Sequence, residues 1–257
     1  METSPDPWIG ELRHSHDRLQ ALVEPLDLAS LEQRSYASEW SIAQVLSHLG
    51  SGAEIFGLFL DAGLTGQDPP GRDAFVQVWN AWNAKDPQAQ ATDGLRADEA
   101  IVERIESLDP DQRAGLRLLM FGMDTDLTGL ARMRVSEHAV HTWDVAVALD
   151  PSATVAPEAI GLLIDTVGQL AARSAKPDGK ERRLRVSTSD PERHFVLETG
   201  EAVSLTESDG EAGLPELRLP AEAFVRLVYG RLGPHHTPPV EADGVDLDEL
   251  RQLFPGF

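Results

Sequence analysis

Arg134-Val135-Ser136-Glu137-His138-Ala139-Val140-His141-Thr142-Trp143-Asp144 places a carboxylate and an imidazole four residues apart, with a second acid three residues further on. With Met133 set at 0° and about 100° per helical residue, Asp144 falls at about 20°, Glu137 at about 40° and His141 at about 80°. On the same projection Leu130 falls at about 60°, Val140 at about −20° and Val147 at about −40°. The ionisable trio therefore lies inside the core-facing stripe of a helix predicted over 128–149. Burying a carboxylate there costs several kcal/mol unless it is paired, hydrogen-bonded or bound to a metal. A divalent cation removes that cost, so Glu137 and His141 read as metal ligands. The Glu-x₃-His spacing alone is weak, since such pairs also line solvated helices; the placement in the stripe is what points to a metal.

The flanking residues take supporting readings. Asp144 suits a hydrogen bond to the free ring nitrogen of His141. Arg134, one turn before Glu137, either orients that carboxylate, receives an acidic substrate, or forms an ordinary i,i+3 ion pair. His138, at about 140°, points away from the trio.

Outward from this helix, the first two-thirds of the chain read as helical. Ile9, Leu12, Leu19 and Leu22 recur at helical spacing. Ser41-Ile42-Ala43-Gln44 is a capping-box pattern opening a helix that runs to about residue 60. Gly63 to Arg72, rich in Gly, Asp and Pro, reads as a loop. Further helices are predicted over 74–84, 97–108 and 157–173. After Ser174-Ala175-Lys176-Pro177-Asp178-Gly179 the pattern changes. Leu184–Ser187 and His194–Glu198 alternate with period two, as strands do, with two further strands over 202–205 and 216–219. Helices over 221–229 and 247–253 close the chain. The fold class read from this is mainly α plus α+β: a helical bundle over 1–175, then a small α+β domain over 180–257.

Two ligands make an incomplete site, and His48 is the candidate third. With Val45 at 0°, Leu49 falls at about 40°, Phe56 at about 20° and Phe59 at about −40°, while His48 falls at about −60°, the edge of that stripe. Such a position suits either a hydrogen-bonded structural histidine or a ligand. Gly52, one turn later, leaves room beside it. Two histidines and one carboxylate fit Zn²⁺ with an open fourth position, and also Fe²⁺, Ni²⁺ or Mn²⁺.

Composition narrows the alternatives. With 22 Lys+Arg against 43 Asp+Glu, a net charge of −21 argues against nucleic-acid partners, which need a basic footprint, and against anionic membranes. No cysteine is present, so disulfides, zinc-thiolate sites and a protein-borne thiol nucleophile are excluded. No apolar run long enough to span a bilayer occurs, and a cytoplasmic protein is expected. No GxGxxG or Walker A pattern points to a nucleotide. His235-His236, in a Gly- and Pro-rich loop, read as solvated, and Trp79 and Trp82 as packing residues.

Three segments resemble the mycothiol-dependent maleylpyruvate isomerase family, a branch of the DinB-like four-helix-bundle metalloproteins. They are Trp40-Ser41-Ile42-Ala43-Gln44-Val45-Leu46-Ser47-His48-Leu49, Arg134-x₂-Glu137-x₃-His141-x₂-Asp144, and Ala223-Phe224-Val225-Arg226-Leu227-Val228-Tyr229-Gly230-Arg231-Leu232. The resemblance implies that His48, Glu137 and His141 form a metal-binding triad, usually for zinc, and that mycothiol is the thiol cofactor. It further implies a sterol-carrier-protein-like second domain in which Arg231, after Gly230, is an activity residue. From the residues alone, Arg231 either clamps a carboxylate or offsets a helix dipole. A metal-bound thiol is deprotonated at neutral pH, and its thiolate adds to an electrophilic carbon. Isomerase and S-transferase share that first step. The partner expected is therefore a small electrophile, acting on a monomer or homodimer. Two other readings use the same fold: a hydrolase in which metal-bound water attacks, and a non-catalytic small-molecule-binding protein.

Overall fold

The structure, a computed structural model, describes residues 4–37, 39–208 and 213–256. They divide into two compact units, one ending at Ala153 and the other beginning at Thr154.

The first unit is built on four long helices: α1 (Asp6–Val23), α3 (Ile42–Thr65), α5 (Pro87–Glu106) and α7 (Leu127–Leu149). Between them lie α2 (Leu28–Leu31), α4 (Arg72–Asn83), α6 (Pro110–Gly115) and a hairpin of β1 (Leu118–Met120) and β2 (Met123–Thr125). Each long helix packs on two others, α3 on α5 and α7, and α1 on α5 and α7, which closes a four-helix bundle. Leu12, Leu46, Val102, Leu130 and Val135 are among the side chains filling its interior.

Local chemistry sets the helix ends. Ser41 and Gln44 form the expected reciprocal capping box at the start of α3, satisfying two otherwise orphaned N–H groups. Gly66, at φ 65°, ends α3 in the left-handed conformation that glycine adopts without steric cost. Asp126 accepts the Gly129 N–H and so starts α7.

Helix α5 begins ten residues before the sequence pattern predicts. Asp86 caps it and Pro87 occupies its first turn. The early turns bury small residues, Ala91 and Gly94, which give no apolar periodicity. A Cβ added to Gly94 would stand 2.7 Å from the Leu46 carbonyl oxygen, so α3 and α5 meet nearly backbone to backbone. The hairpin likewise gives no sequence signal, because three-residue strands carry too little alternation. Its turn is Phe121-Gly122, both at positive φ (52° and 80°), the geometry of a two-residue hairpin turn.

The second unit opens with α8 (Pro157–Leu163), a 3₁₀ turn and α9 (Val167–Ser174). The single helix expected over 157–173 is thus interrupted at Ile164–Thr166. Strands β3 (Arg182–Ser189), β4 (Arg193–Thr199), β5 (Ser204–Glu207), β6 (Glu216–Pro220) and β7 (Glu241–Asp243) form one sheet in the order β5-β4-β3-β6-β7. Among the described residues, only β3 and β6 run parallel. Between β6 and β7 comes α10 (Ala221–Val228), and α11 (Leu247–Leu253) ends the unit. Alternation sends Leu184 and Val186 of β3 into the core and leaves Arg185 and Ser187 on the other face. Phe195 of β4 meets Phe224 of α10 at 5.5 Å between ring centroids. The mainly α plus α+β class holds, but α8 and α9 pack with α10 and β5. The boundary expected near 175–180 therefore falls inside the second unit, because the hydrophobic faces of these two helices close on the sheet unit.

Candidate metal centre

His48 stands on the second turn of α3, and Glu137 and His141 stand one turn apart on α7. The packing of α3 on α7 brings them together. His48 Nε2 lies 3.0 Å from Glu137 Oε2, and His141 Nε2 lies 3.7 Å from the same oxygen. One ligand-type atom from each falls within 4.8 Å of the other two. Donors of a tetrahedral zinc site, each at about 2.0–2.1 Å from the metal, lie roughly 3.4 Å apart, so this spacing and this donor set fit a divalent cation.

Asp144, fully buried, holds His141 as the sequence predicts. Its Oδ2 lies 2.9 Å from His141 Nδ1. That bond leaves Nε2 as the ring nitrogen facing Glu137. The side chains of His48 and Glu137 keep 36% and 44% of their surface exposed, so one side of the trio is open to an external ligand.

Trp40 completes the enclosure. Its ring sits 5.1 Å from that of His48 and is stacked 6.2 Å from that of His141, while the two imidazoles meet edge-on at 4.6 Å. The sequence marks Trp40 only as part of a motif; its contact with both rings depends on how the loop before α3 folds back.

The electrostatics suit metal ligation. Burial pushes the His48 pKa down, outweighing the Glu137 carboxylate, with His141 and Arg134 adding to the depression. A neutral imidazole keeps a lone pair to donate. Burial by itself would raise the Glu137 carboxyl, but the His48 hydrogen bond and the charges of His141, His48 and Arg134 hold it down to about 2. It is an anion throughout the neutral range.

Arg134 departs from expectation. It neither bonds Glu137 nor faces solvent: it is 1% exposed, and its Nη2 donates to Asp98 Oδ1 at 2.6 Å. His138 points away from the trio, as expected, into a second buried cluster. There its Nε2 and His16 Nδ1 both lie 2.7 Å from Asp98 Oδ2. This cluster also has metal-compatible spacing, yet its donors are already matched. His16 Nε2 meets Glu99 at 2.6 Å, His138 Nδ1 meets Ser15 Oγ at 2.9 Å, and a guanidinium occupies the carboxylate. Asp98 does carry a sequence signal: it precedes Ile101, Val102 and Ile105 at i+3, i+4 and i+7, an acid inside an apolar stripe.

Arg231 belongs to the second unit. It follows Gly230, at φ 70°, and its Nη1 donates to the Tyr229 carbonyl at 2.9 Å. Its guanidinium thus meets a carbonyl at the C-terminal end of α10, where a cation offsets the helix dipole. His235 is exposed and Trp82 is buried, whereas Trp79, expected to pack, is exposed. Among the described residues, no helix is long and apolar enough to cross a membrane.

Residues 12–146 match the family model described as the mycothiol maleylpyruvate isomerase N-terminal domain. Two solved structures, the mycothiol-dependent maleylpyruvate isomerase and a histidine-to-alanine mutant of it, superpose with a TM-score of 0.67 at 13% identity, over 90% of each chain. No curated protein sequence matches significantly.

Proposed function

Since the chain belongs to the mycothiol maleylpyruvate isomerase family, we propose that it is an enzyme that uses a divalent metal, zinc foremost, and the small thiol mycothiol. Its substrate is an electrophilic small molecule, which undergoes cis–trans isomerisation or thiol transfer. The observation that carries this reading is the convergence of His48, Glu137 and His141 within 4.8 Å on a group open at one side. When bound there, the metal supplies a Lewis acid that deprotonates a coordinating thiol, a group the cysteine-free chain does not itself provide.

The chain's own residues prepare that site. Glu137 contributes the negative charge that a divalent cation requires. Asp144 sets the tautomer and orientation of His141 through Nδ1. Trp40 covers the two imidazoles on one side and keeps water from that face. Arg231 acts in turnover as the family's Gly-Arg position.

Metal analysis of protein purified without chelator tests this, together with thiol-dependent turnover of activated alkenes. About one equivalent of a divalent metal is expected in the wild type and none in Glu137→Ala. Arg231→Ala is expected to keep its metal and lose turnover. A wild type that takes up no metal even on reconstitution refutes the reading.

A further inference from the structure

Asp98 lies outside the proposed metal site, yet two of its three side-chain partners bracket Glu137. Arg134 precedes Glu137 by three residues and His138 follows it by one. Asp98 has no exposed surface. Its Oδ1 accepts from Arg134 Nη2 at 2.6 Å, and its Oδ2 lies 2.7 Å from both His138 Nε2 and His16 Nδ1.

Arg134 is tethered at one point. Its Nε is buried without a partner, and among the described residues Asp98 is its one ion-pair partner. The guanidinium is wedged against α3, where a Cβ on Gly52 would stand 3.0 Å from Nη1 and the Phe56 ring lies 5.4 Å away. Removing the partner of a buried cation leaves an uncompensated charge at high cost, and that cost favours a new pairing with any carboxylate within reach. On α7 that is Glu137, one turn away at the i,i+3 spacing where arginine and glutamate side chains meet. A guanidinium fork on that carboxylate would occupy the oxygens a metal needs.

We infer that Asp98 is a positioning residue for the metal centre: by holding Arg134 against α5, it keeps the guanidinium off Glu137 and leaves that carboxylate free to bind a cation. The inference rests on the metal reading above. It assigns Asp98 a role that simple bundle packing does not include, namely control of which carboxylate Arg134 occupies.

The test is Zn²⁺ affinity of the full chain, measured by competition with a chromophoric chelator, alongside thermal melts. The proteins are wild type, Asp98→Asn, Arg134→Met and the double variant. Asp98→Asn is expected to bind zinc about tenfold to a hundredfold more weakly, the range seen for residues that orient metal ligands. Arg134→Met should bind at least as tightly as wild type, and the double variant should return to within about twofold of wild type. A folded Asp98→Asn with wild-type affinity overturns the inference. So does a double variant as weak as Asp98→Asn, since the loss then arises from bundle packing. If Asp98→Asn does not fold, Arg134→Met still decides, because weaker binding there would mean that Arg134 supports Glu137. Absence of zinc binding in the wild type overturns the metal reading itself, a result distinct from each of these.

Discussion

Replacing Asp144 by asparagine changes one charge at constant volume, at a position with no exposed surface. In the native protein its carboxylate receives His141 Nδ1 at 2.9 Å, which presents Nε2 to Glu137. A hydrogen bond to an ionised partner contributes about 1.5–3 kcal/mol and a neutral one about 0.5–1.5 kcal/mol. If the asparagine carbonyl keeps the bond, His141 becomes a weaker donor to metal by about 1–1.5 kcal/mol, or roughly five- to tenfold in affinity. If the amide instead turns its NH₂ toward Nδ1, the ring proton must sit on Nε2, the atom that faces Glu137 and would meet the proposed cation, and the loss approaches a hundredfold. Either orientation weakens the site. The backbone carbonyl of Asp144, which accepts the Tyr36 N–H at 3.0 Å, is unchanged, so the bundle should still fold. Zinc competition titrations at neutral pH give the affinity, and ¹⁵N shifts of the His141 ring report the tautomer. A folded Asp144→Asn with zinc affinity within about twofold of wild type would refute the argument that this bond tunes the ligand.

Two further substitutions probe the scaffold. Gly94→Ala should destabilise the first unit by about 1–2 kcal/mol in urea unfolding: the added methyl meets the Leu46 carbonyl at 2.7 Å, and overpacking of about 1–3 kcal/mol exceeds the helix-propensity gain of up to about 1 kcal/mol. An unchanged or higher midpoint would show that α3 and α5 separate freely. In the second unit, hydrogen bonds from Arg185 and Ser187 and the Arg185 and Arg218 charges hold the Glu216 carboxyl at about 2, against the opposing effect of burial. Because the folded value is depressed, this stabilisation is fully present above the unfolded value of about 4.3 and fades as pH falls toward about 2. Glu216→Gln should therefore lower the melting temperature near pH 6, with the difference from wild type shrinking below pH 4; a difference constant across that range would remove Glu216 from the acid response.

The features legible in the sequence are those that depend on neighbours a few residues apart. Glu137, His141 and Asp144 share a face because the helical repeat is 3.6 residues, and the Asp144–His141 bond follows from the same repeat. The capping box at Ser41 and Gln44 is equally local. Strands β3 and β4 announce themselves through alternation, while β7 and the two hairpin strands, three residues each, are too short to do so. Residues 87–94 lack large apolar side chains because the helix there approaches α3 through Ala91 and Gly94, and a pattern built on bulky residues does not register small ones.

By itself, then, the sequence determined the class of fold, the face that carries the ionisable trio on α7, and the family resemblance. It left His48 between two readings, and it did not identify Asp98 as the partner of Arg134. Tertiary structure fixes where both side chains stand. The angle at which α3 meets α7 puts His48 Nε2 3.0 Å from Glu137, and the approach of α5 puts Asp98, thirty-six positions away from Arg134, closer to that guanidinium than the glutamate one turn along. A buried charge takes the partner that helix packing presents, and helix packing is set by the fit of whole faces, which local periodicity does not encode.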